Sequence, residues 1–264
     1  MKRVVTAVAL LPILIIWIIY GKGIGLAVLV GIASGIGLRE YYKITLPPHQ
    51  GALRLPGVAA GALAIAVLHI FGVNSLGPAL FILFAMFSLL MLVSFNPQAR
   101  SSEGLATAVA GLIYIPFMLS HLMLLRLDQD GALWVLFVMC VVFSLDTGAY
   151  YIGTWVGKHL LCPTISPKKT WEGTIAGLAC ALATGIFFKI FFLARLDMFH
   201  AVMLSIVIAV FGVLGDLVES MIKRSANVKD SGRLLPGHGG LLDRIDSLLF
   251  AAPLVYYYKI WLIQ

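Results

Sequence analysis

The sequence predicts an all-α polytopic membrane protein: a helical bundle of about nine transmembrane helices with a cytoplasmic N-terminus. Three observations carry that prediction. Hydrophobic residues make up 61% of the 264 residues and charged residues only 12%, with a mean hydropathy of +0.99. A soluble domain is about 45–50% apolar and about 25% charged. The apolar residues fall in continuous runs, each near the length that crosses a bilayer as a helix, about 20 residues. The lysines and arginines fall mostly on one side of the alternating topology those runs define.

The runs, in order, are Val4–Tyr20, Ile24–Leu38, Leu55–Val73, Pro78–Phe95, Leu105–Leu125, Leu133–Ile152, Thr174–Leu193, Phe199–Val218 and Leu248–Ile263. Helices are the predicted form because hydrocarbon cannot hydrogen-bond an open backbone. A barrel would alternate apolar and polar residues, and these runs do not. The first run follows a basic Met1-Lys2-Arg3 start. It exceeds the ~7–15 residues of a signal-peptide core and lacks a small-residue cleavage site, so it reads as an uncleaved span. The second run is short and glycine-rich, which makes the count eight or nine. Gly31-Ile-Ala-Ser-Gly35 within it is a weak small-residue packing signal.

With the N-terminus inside, fourteen of the nineteen Lys and Arg residues lie in inner segments and three (Lys22, Arg126 and Arg195) in outer loops. Lys189 and Lys259 fall near outer helix ends, where long side chains snorkel. The long inner segments are 39–54, 153–173 and 219–247, so the candidate chemistry faces the cytoplasm. The net charge of +7 is thus a topology signal, and no basic soluble domain supports nucleic-acid binding. Cys140, Cys162 and Cys180 form no CxxC pair and read as reduced packing residues. The chain reads as a single membrane-embedded domain, with N-terminal spans over 1–132 and catalytic spans and inner loops over 133–264.

Polar residues concentrate in Ser220–Ser247. Between Lys223 and Asp246, eight of twenty-four residues are charged, and both signs are present. A polybasic lipid-surface anchor explains Lys223, Arg224, Lys229 and Arg233. It does not explain Asp230, Asp243 and Asp246, nor the turn Pro236-Gly237-His238-Gly239-Gly240. Glycines there permit close backbone approach to a ligand, and successive amides can form an anion nest. His238 alone is as readily an ordinary loop histidine.

Just upstream, GVLGDLVES places Asp216, Glu219 and Ser220 on one helix face. An acid at the end of a span is a functional candidate, although pairing with a nearby lysine is the simpler role. Asp243 and Asp246 form a second i, i+3 pair, and a helix N-terminus alone accounts for one of them. Two acidic faces can converge on a hard cation such as Mg²⁺, which takes one or two carboxylates plus water and substrate phosphate. The inner stretch ISPKKTWEG offers Ser166, Lys168, Lys169 and Thr170 as phosphate donors, or is a turn with topogenic lysines. Glu172 caps or charges the next helix start. Asp146, in SLDTGAYYIG, either structures the bundle or joins the polar site. There is no P-loop and no HEXXH motif. His69, His121, Lys189 and Lys259 read as packing or interface residues.

The segment from Ser220 to Ser247 resembles the diagnostic segment of the phosphatidate cytidylyltransferases, or CDP-diacylglycerol synthases. The matching residues are Ser220, Lys223-Arg224, Lys229-Asp230, Pro236, His238-Gly239-Gly240, Asp243-Arg244 and Asp246. SLDTGAYYIG and ISPKKTWEG are similar to the same family. The resemblance is close over most of the C-terminal half, while the N-terminal half matches only in having several spans. It implies a multi-pass enzyme of the cell inner membrane, acting on its cytoplasmic side. Such an enzyme joins CTP to phosphatidic acid drawn from the bilayer, giving CDP-diacylglycerol and pyrophosphate for phospholipid biosynthesis. It also implies a divalent cation, usually Mg²⁺, and a homodimer in some members.

On that footing Asp216, Asp243 and Asp246 are expected to bind metal, with Asp146 and Glu219 in reserve. Lys223, Arg224, Lys229 and His238 are expected to contact the nucleotide phosphates or the leaving pyrophosphate. Ser166, Lys168, Lys169, Ser220, Asp230, Gly239, Gly240 and Arg244 are the expected substrate-binding residues. Rival readings are a CTP-dependent polyprenol or related lipid kinase, an ion-coupled transporter and a noncatalytic lipid-binding scaffold.

Overall fold

A computed structural model describes residues 12–93, 95, 101–232, 234 and 239–263. His238, Pro236, Gly237 and Arg233 lie outside the described residues, as do residues 4–11 of the first expected span. The described part of that span, residues 12–20, is helical. Among the described residues, seven helices are long and apolar enough to cross a membrane. The ninth expected span corresponds to the helix Leu242–Tyr258, which runs into a π-helical turn at Lys259–Ile263. The protein is therefore a polytopic helical membrane protein. Its outer residues fit that solvent: Val93 is 82% exposed and Trp155 80%, with many further apolar side chains outward. Water would oppose so large an apolar surface, whereas lipid covers it.

The chain divides into two compact units. The first comprises Met1–Leu127 and the returning segment Ala226–Arg244. Its helices are α1 (Lys22–Thr45), α2 (Arg54–Phe71), α3 (Leu76–Val93), α4 (Ser101–Leu112) and α5 (Met118–Leu127). The short, glycine-rich second run is thus a full 24-residue helix. A Cβ on Gly57 would lie 2.4 Å from the Tyr42 ring, and one on Gly61 2.3 Å from Leu38. Those two α2 glycines let α1 approach closely. Among the described residues Gly31 meets nothing within 4 Å, whereas a Cβ on Gly35 would touch Val58 of α2 at 3.7 Å. Tyr42 Oη donates to Ala108 O at 2.8 Å, joining α1 to α4. A π-helical turn at Ile113–Phe117 absorbs Pro116, whose missing amide would otherwise break the ladder between α4 and α5.

The second unit comprises Asp128–Ser225 and Ile245–Gln264. It contains α6 (Gly131–Val156), a hairpin of β1 (Leu160–Cys162) and β2 (Ser166–Thr170), α7 (Trp171–Phe191), α8 (Met198–Ser225) and most of α9 (Leu242–Tyr258). Helix contacts again run through glycines. A Cβ on Gly177 would sit 2.6 Å from Leu145 O, one on Gly173 2.7 Å from Ala149 O, and one on Gly215 2.5 Å from Asp246 O. Without an aqueous driving force between helices, such close backbone packing supplies much of their association.

The two-stranded hairpin is the one departure from an all-α description among the described residues. It is antiparallel, pairing Leu160 with Thr170 and Cys162 with Ser166 across an irregular register. The expected inner loop 153–173 is therefore partly ordered structure. At the far end of this unit Lys259 pairs with Asp128 and lies 5.2 Å from the centroid of Trp134. The three cysteines are free, as expected.

Candidate active site

The hairpin is set by its flanks. Thr170 caps α7 by accepting from Gly173 N at 3.2 Å. Glu172, in the first turn, reaches back to accept from His159 Nδ1 at 2.6 Å and from the amides of Lys158 and His159 at 3.2 Å. Arg224 Nε, from the end of α8, donates to Ile165 O at 3.3 Å in the hairpin turn. The basic residue is thus partly engaged in holding ISPKK in place.

Lys169 leaves β2 inward and its Nζ meets Asp216 Oδ2 at 2.6 Å. Asp216 also accepts from Ser220 Oγ, one turn on, at 3.3 Å. On the same face, buried Glu219 pairs with Lys223. The i, i+3, i+4 spacing of Asp216, Glu219 and Ser220 does place them together, and it brings two lysines with them. Lys168 is exposed on β2 and Ser166 is half-buried.

Asp246 completes this neighbourhood. It is 8% exposed, and the charges of Asp216, Glu219 and Asp146 all act on it. Its Oδ1 accepts from Ser247 N at 2.8 Å, and Ser247 Oγ in turn reaches Asp146 Oδ1 at 3.5 Å. No lysine or arginine is paired with Asp246 among the described residues. A buried carboxylate in the field of three further acids, two of them paired with lysines, is a candidate cation ligand. Among the described residues no three His, Cys, Asp or Glu side chains are close enough to hold an ion by themselves. The donor set nonetheless suits Mg²⁺: hard oxygen ligands, with the coordination sphere finished by water and phosphate.

The first unit holds the segment that precedes α9. Asp243 turns back on it: Oδ2 accepts from Gly240 N at 2.8 Å, Ser231 Oγ at 2.9 Å and Ser231 N at 3.0 Å. Gly239 has φ +79°, and a Cβ there would lie 2.6 Å from Asp243 Oδ2, so glycine is required on both counts. The groups that crowd Gly239 and Gly240 are side chains of this chain. Lys229, Asp230 and Arg244 are exposed.

Three contributors escaped sequence reasoning. Ser247 bridges two acids, His159 anchors the hairpin, and Glu40 of α1 holds the start of α9. Glu40 did leave a signal, as the only carboxylate in the first 102 residues.

A model of the cytidylyltransferase family matches residues 1–261. The chain is 38% identical over 179 residues to a phosphatidate cytidylyltransferase of Bacillus subtilis, covering 66% of each chain. It is 40% identical over 166 residues to the Staphylococcus saprophyticus protein of that name, covering 62% of this chain and 64% of the relative. With the Staphylococcus haemolyticus protein the identity is 50% over 127 residues, 48% of this chain and 49% of the relative. The chain thus spans from about half to just under two-thirds of the length of these relatives. Together with its helical membrane fold, the match over nearly the whole sequence places the chain in the cytidylyltransferase family.

Proposed function

We propose that the protein transfers a cytidylyl group from CTP to phosphatidic acid in the cytoplasmic membrane. A lipid phosphate oxygen attacks the α-phosphorus of CTP, the α–β phosphoanhydride bond breaks, and pyrophosphate leaves. The names of the aligned relatives support this substrate pair. The structural observation that supports the reading is buried Asp246, which feels the charges of the Lys169–Asp216 and Lys223–Glu219 pairs' acids and is linked through Ser247 to Asp146. Both substrates are phosphate anions, so catalysis is chiefly a matter of positioning and charge neutralisation. The lipid phosphate is already a nucleophile and needs little base assistance.

Asp246 and Asp216 are the residues we assign to a divalent cation, most simply Mg²⁺, with Asp146, linked through Ser247, and Glu219 in reserve. When bound, such an ion would neutralise charge on the phosphates. Lys169 and Lys223 are placed to exchange a carboxylate partner for a phosphate oxygen and to stabilise charge on the transferring group. Arg224 and Ser166 bracket the hairpin turn beside them. Asp243 serves the loop, through its three short hydrogen bonds. The positive-inside bias supports a cytoplasmic position for these segments, where CTP is available.

The test uses purified protein with labelled CTP and phosphatidic acid, with and without Mg²⁺. CDP-diacylglycerol and pyrophosphate should appear in equal amounts. Asp246→Asn should lose turnover while still inserting and folding. Release of CDP in place of pyrophosphate would identify a lipid kinase instead. A folded Asp246→Asn protein with near-normal product formation would remove Asp246 from the reaction.

A further inference from the structure

Among the described residues, the start of helix α9 is capped from a distant part of the chain. Its sequence entry is Gly239-Gly240-Leu241-Leu242, and Leu241 has no side-chain oxygen to satisfy the first amides. Helix starts left in that state carry unsatisfied donors and a partial positive charge. Here the acceptor comes from α1. Glu40 Oε2 accepts from Leu242 N at 2.8 Å and Oε1 from Leu241 N at 3.1 Å. Oε2 also lies 3.2 Å from Ser231 Oγ, whose one hydrogen is shared with Asp243 Oδ2 at 2.9 Å. The carboxylate is buried, at 8% exposure, and its partners are two amides and a hydroxyl in place of a lysine or arginine. A Cβ on Gly232 would lie 2.3 Å from Oε1, and one on Gly240 2.5 Å from Oε2. Both glycines therefore make room for this side chain. Ser231 Oγ also contacts Asp243 Oδ2 at 2.9 Å, so Glu40 and Asp243 grip the same loop from two directions.

We infer that Glu40 is a positioning residue for the reaction: a cap supplied from another helix that fixes where α9 starts. The inference rests on the functional reading above. Helix α9 carries Asp243 and Arg244 in its first turn and Asp246 immediately after. A helix that frays or rotates at its start moves those side chains together. Displacement of a ligand carboxylate by even about 1 Å can cost ~10²-fold in rate. Glu40 touches neither reacting atom nor substrate in this scheme, and it acts through α9. Gln at position 40 keeps the shape but replaces one acceptor oxygen with an NH₂ donor, which faces an amide or hydroxyl that also needs an acceptor. Asp keeps the charge and falls one methylene short.

The test compares full-length parent, Glu40→Gln, Glu40→Asp and Ser231→Ala in detergent micelles. Turnover is read as kcat and as the Mg²⁺ concentration giving half-maximal rate. Amide hydrogen exchange is read at residues 239–244. We expect Glu40→Gln to lower kcat by about 10–100-fold and to raise the Mg²⁺ requirement, the range seen when groups supporting metal ligands are removed. Exchange at Leu241 and Leu242 should rise in the same variant. Ser231→Ala, which removes one donor, should lower kcat less than Glu40→Gln does. Glu40→Asp guards against a Glu40→Gln protein that fails to fold, and should show the same pattern more weakly. Glu40→Gln with parent-like kcat, or with a rate loss matched by lost folded protein and an unchanged Mg²⁺ requirement, overturns the inference. A parent that makes no CDP-diacylglycerol overturns the functional reading instead. The exchange at Leu241 and Leu242 then decides the cap alone.

Discussion

Lys223 and Glu219 allow stability to be separated from chemistry. Glu219 is 1% exposed at its side chain and Lys223 12%, and they form an i, i+4 ion pair. Replacing Lys223 with Met leaves a buried carboxylate beside Asp246, on which Asp216 and Asp146 already act. Removing one member of a buried pair costs about 3–5 kcal/mol, because the survivor keeps its desolvation cost and loses its compensation. For a domain of this size one kcal/mol shifts Tm by about 2–4 °C, so Lys223→Met should lower Tm by about 6–20 °C. Adding Glu219→Gln removes the charge that lost Lys223, and the double variant should recover part of that loss. Activity should stay low in both, since Lys223 is assigned to the phosphates. The assays are thermal unfolding in micelles and product formation from CTP and phosphatidic acid. A Lys223→Met protein with Tm within about 2 °C of parent would refute the reasoning, as would a double variant no more stable than the single one.

In the scaffold, Gly177→Val would put its Cβ 2.6 Å from Leu145 O, with two further methyl groups beyond it. The substitution should destabilise by about 1–3 kcal/mol, read as a lower unfolding temperature. For the Asp128–Lys259 pair, partial burial pushes the Asp128 carboxyl up, but its bonds to Lys259 and to Gln129 N outweigh that and its pKa is lowered. A depressed carboxyl contributes stability above its unfolded value of 3.8, and that contribution disappears as pH falls through the lower folded value. Asp128→Asn should therefore flatten the stability change below about pH 4, measured by unfolding across pH.

Much of this arrangement was legible in the chain. Continuous apolar runs predicted the helices, because lipid tolerates few other backbone forms. The i, i+3, i+4 spacing of Asp216, Glu219 and Ser220 predicted a shared face, since helical geometry is local. The hairpin was not legible. Leu160–Cys162 is three residues long, and what holds Ser166–Thr170 opposite it is Glu172 on His159 and Arg224 on Ile165 O. Those are tertiary bonds with no periodic signature. The glycines of the α9 approach read as room for a ligand, whereas Gly240 and Gly232 make room for Glu40. A residue about 200 positions away leaves no trace in a local pattern. Its isolation among the apolar N-terminal spans was the one available sign.

The cap on α9 also bears on how the protein is made. Glu40 is joined to Ser231, Leu241 and Leu242 across 191, 201 and 202 residues of chain. During synthesis α1 emerges long before these partners, so Glu40 is made well before the groups it binds. Closing a loop of that length is slow, and the bonds that reward it form only at the end. Assembly of the α9 start is thus a late step, and in a chain stalled before residue 242 Glu40 lacks an amide that it caps.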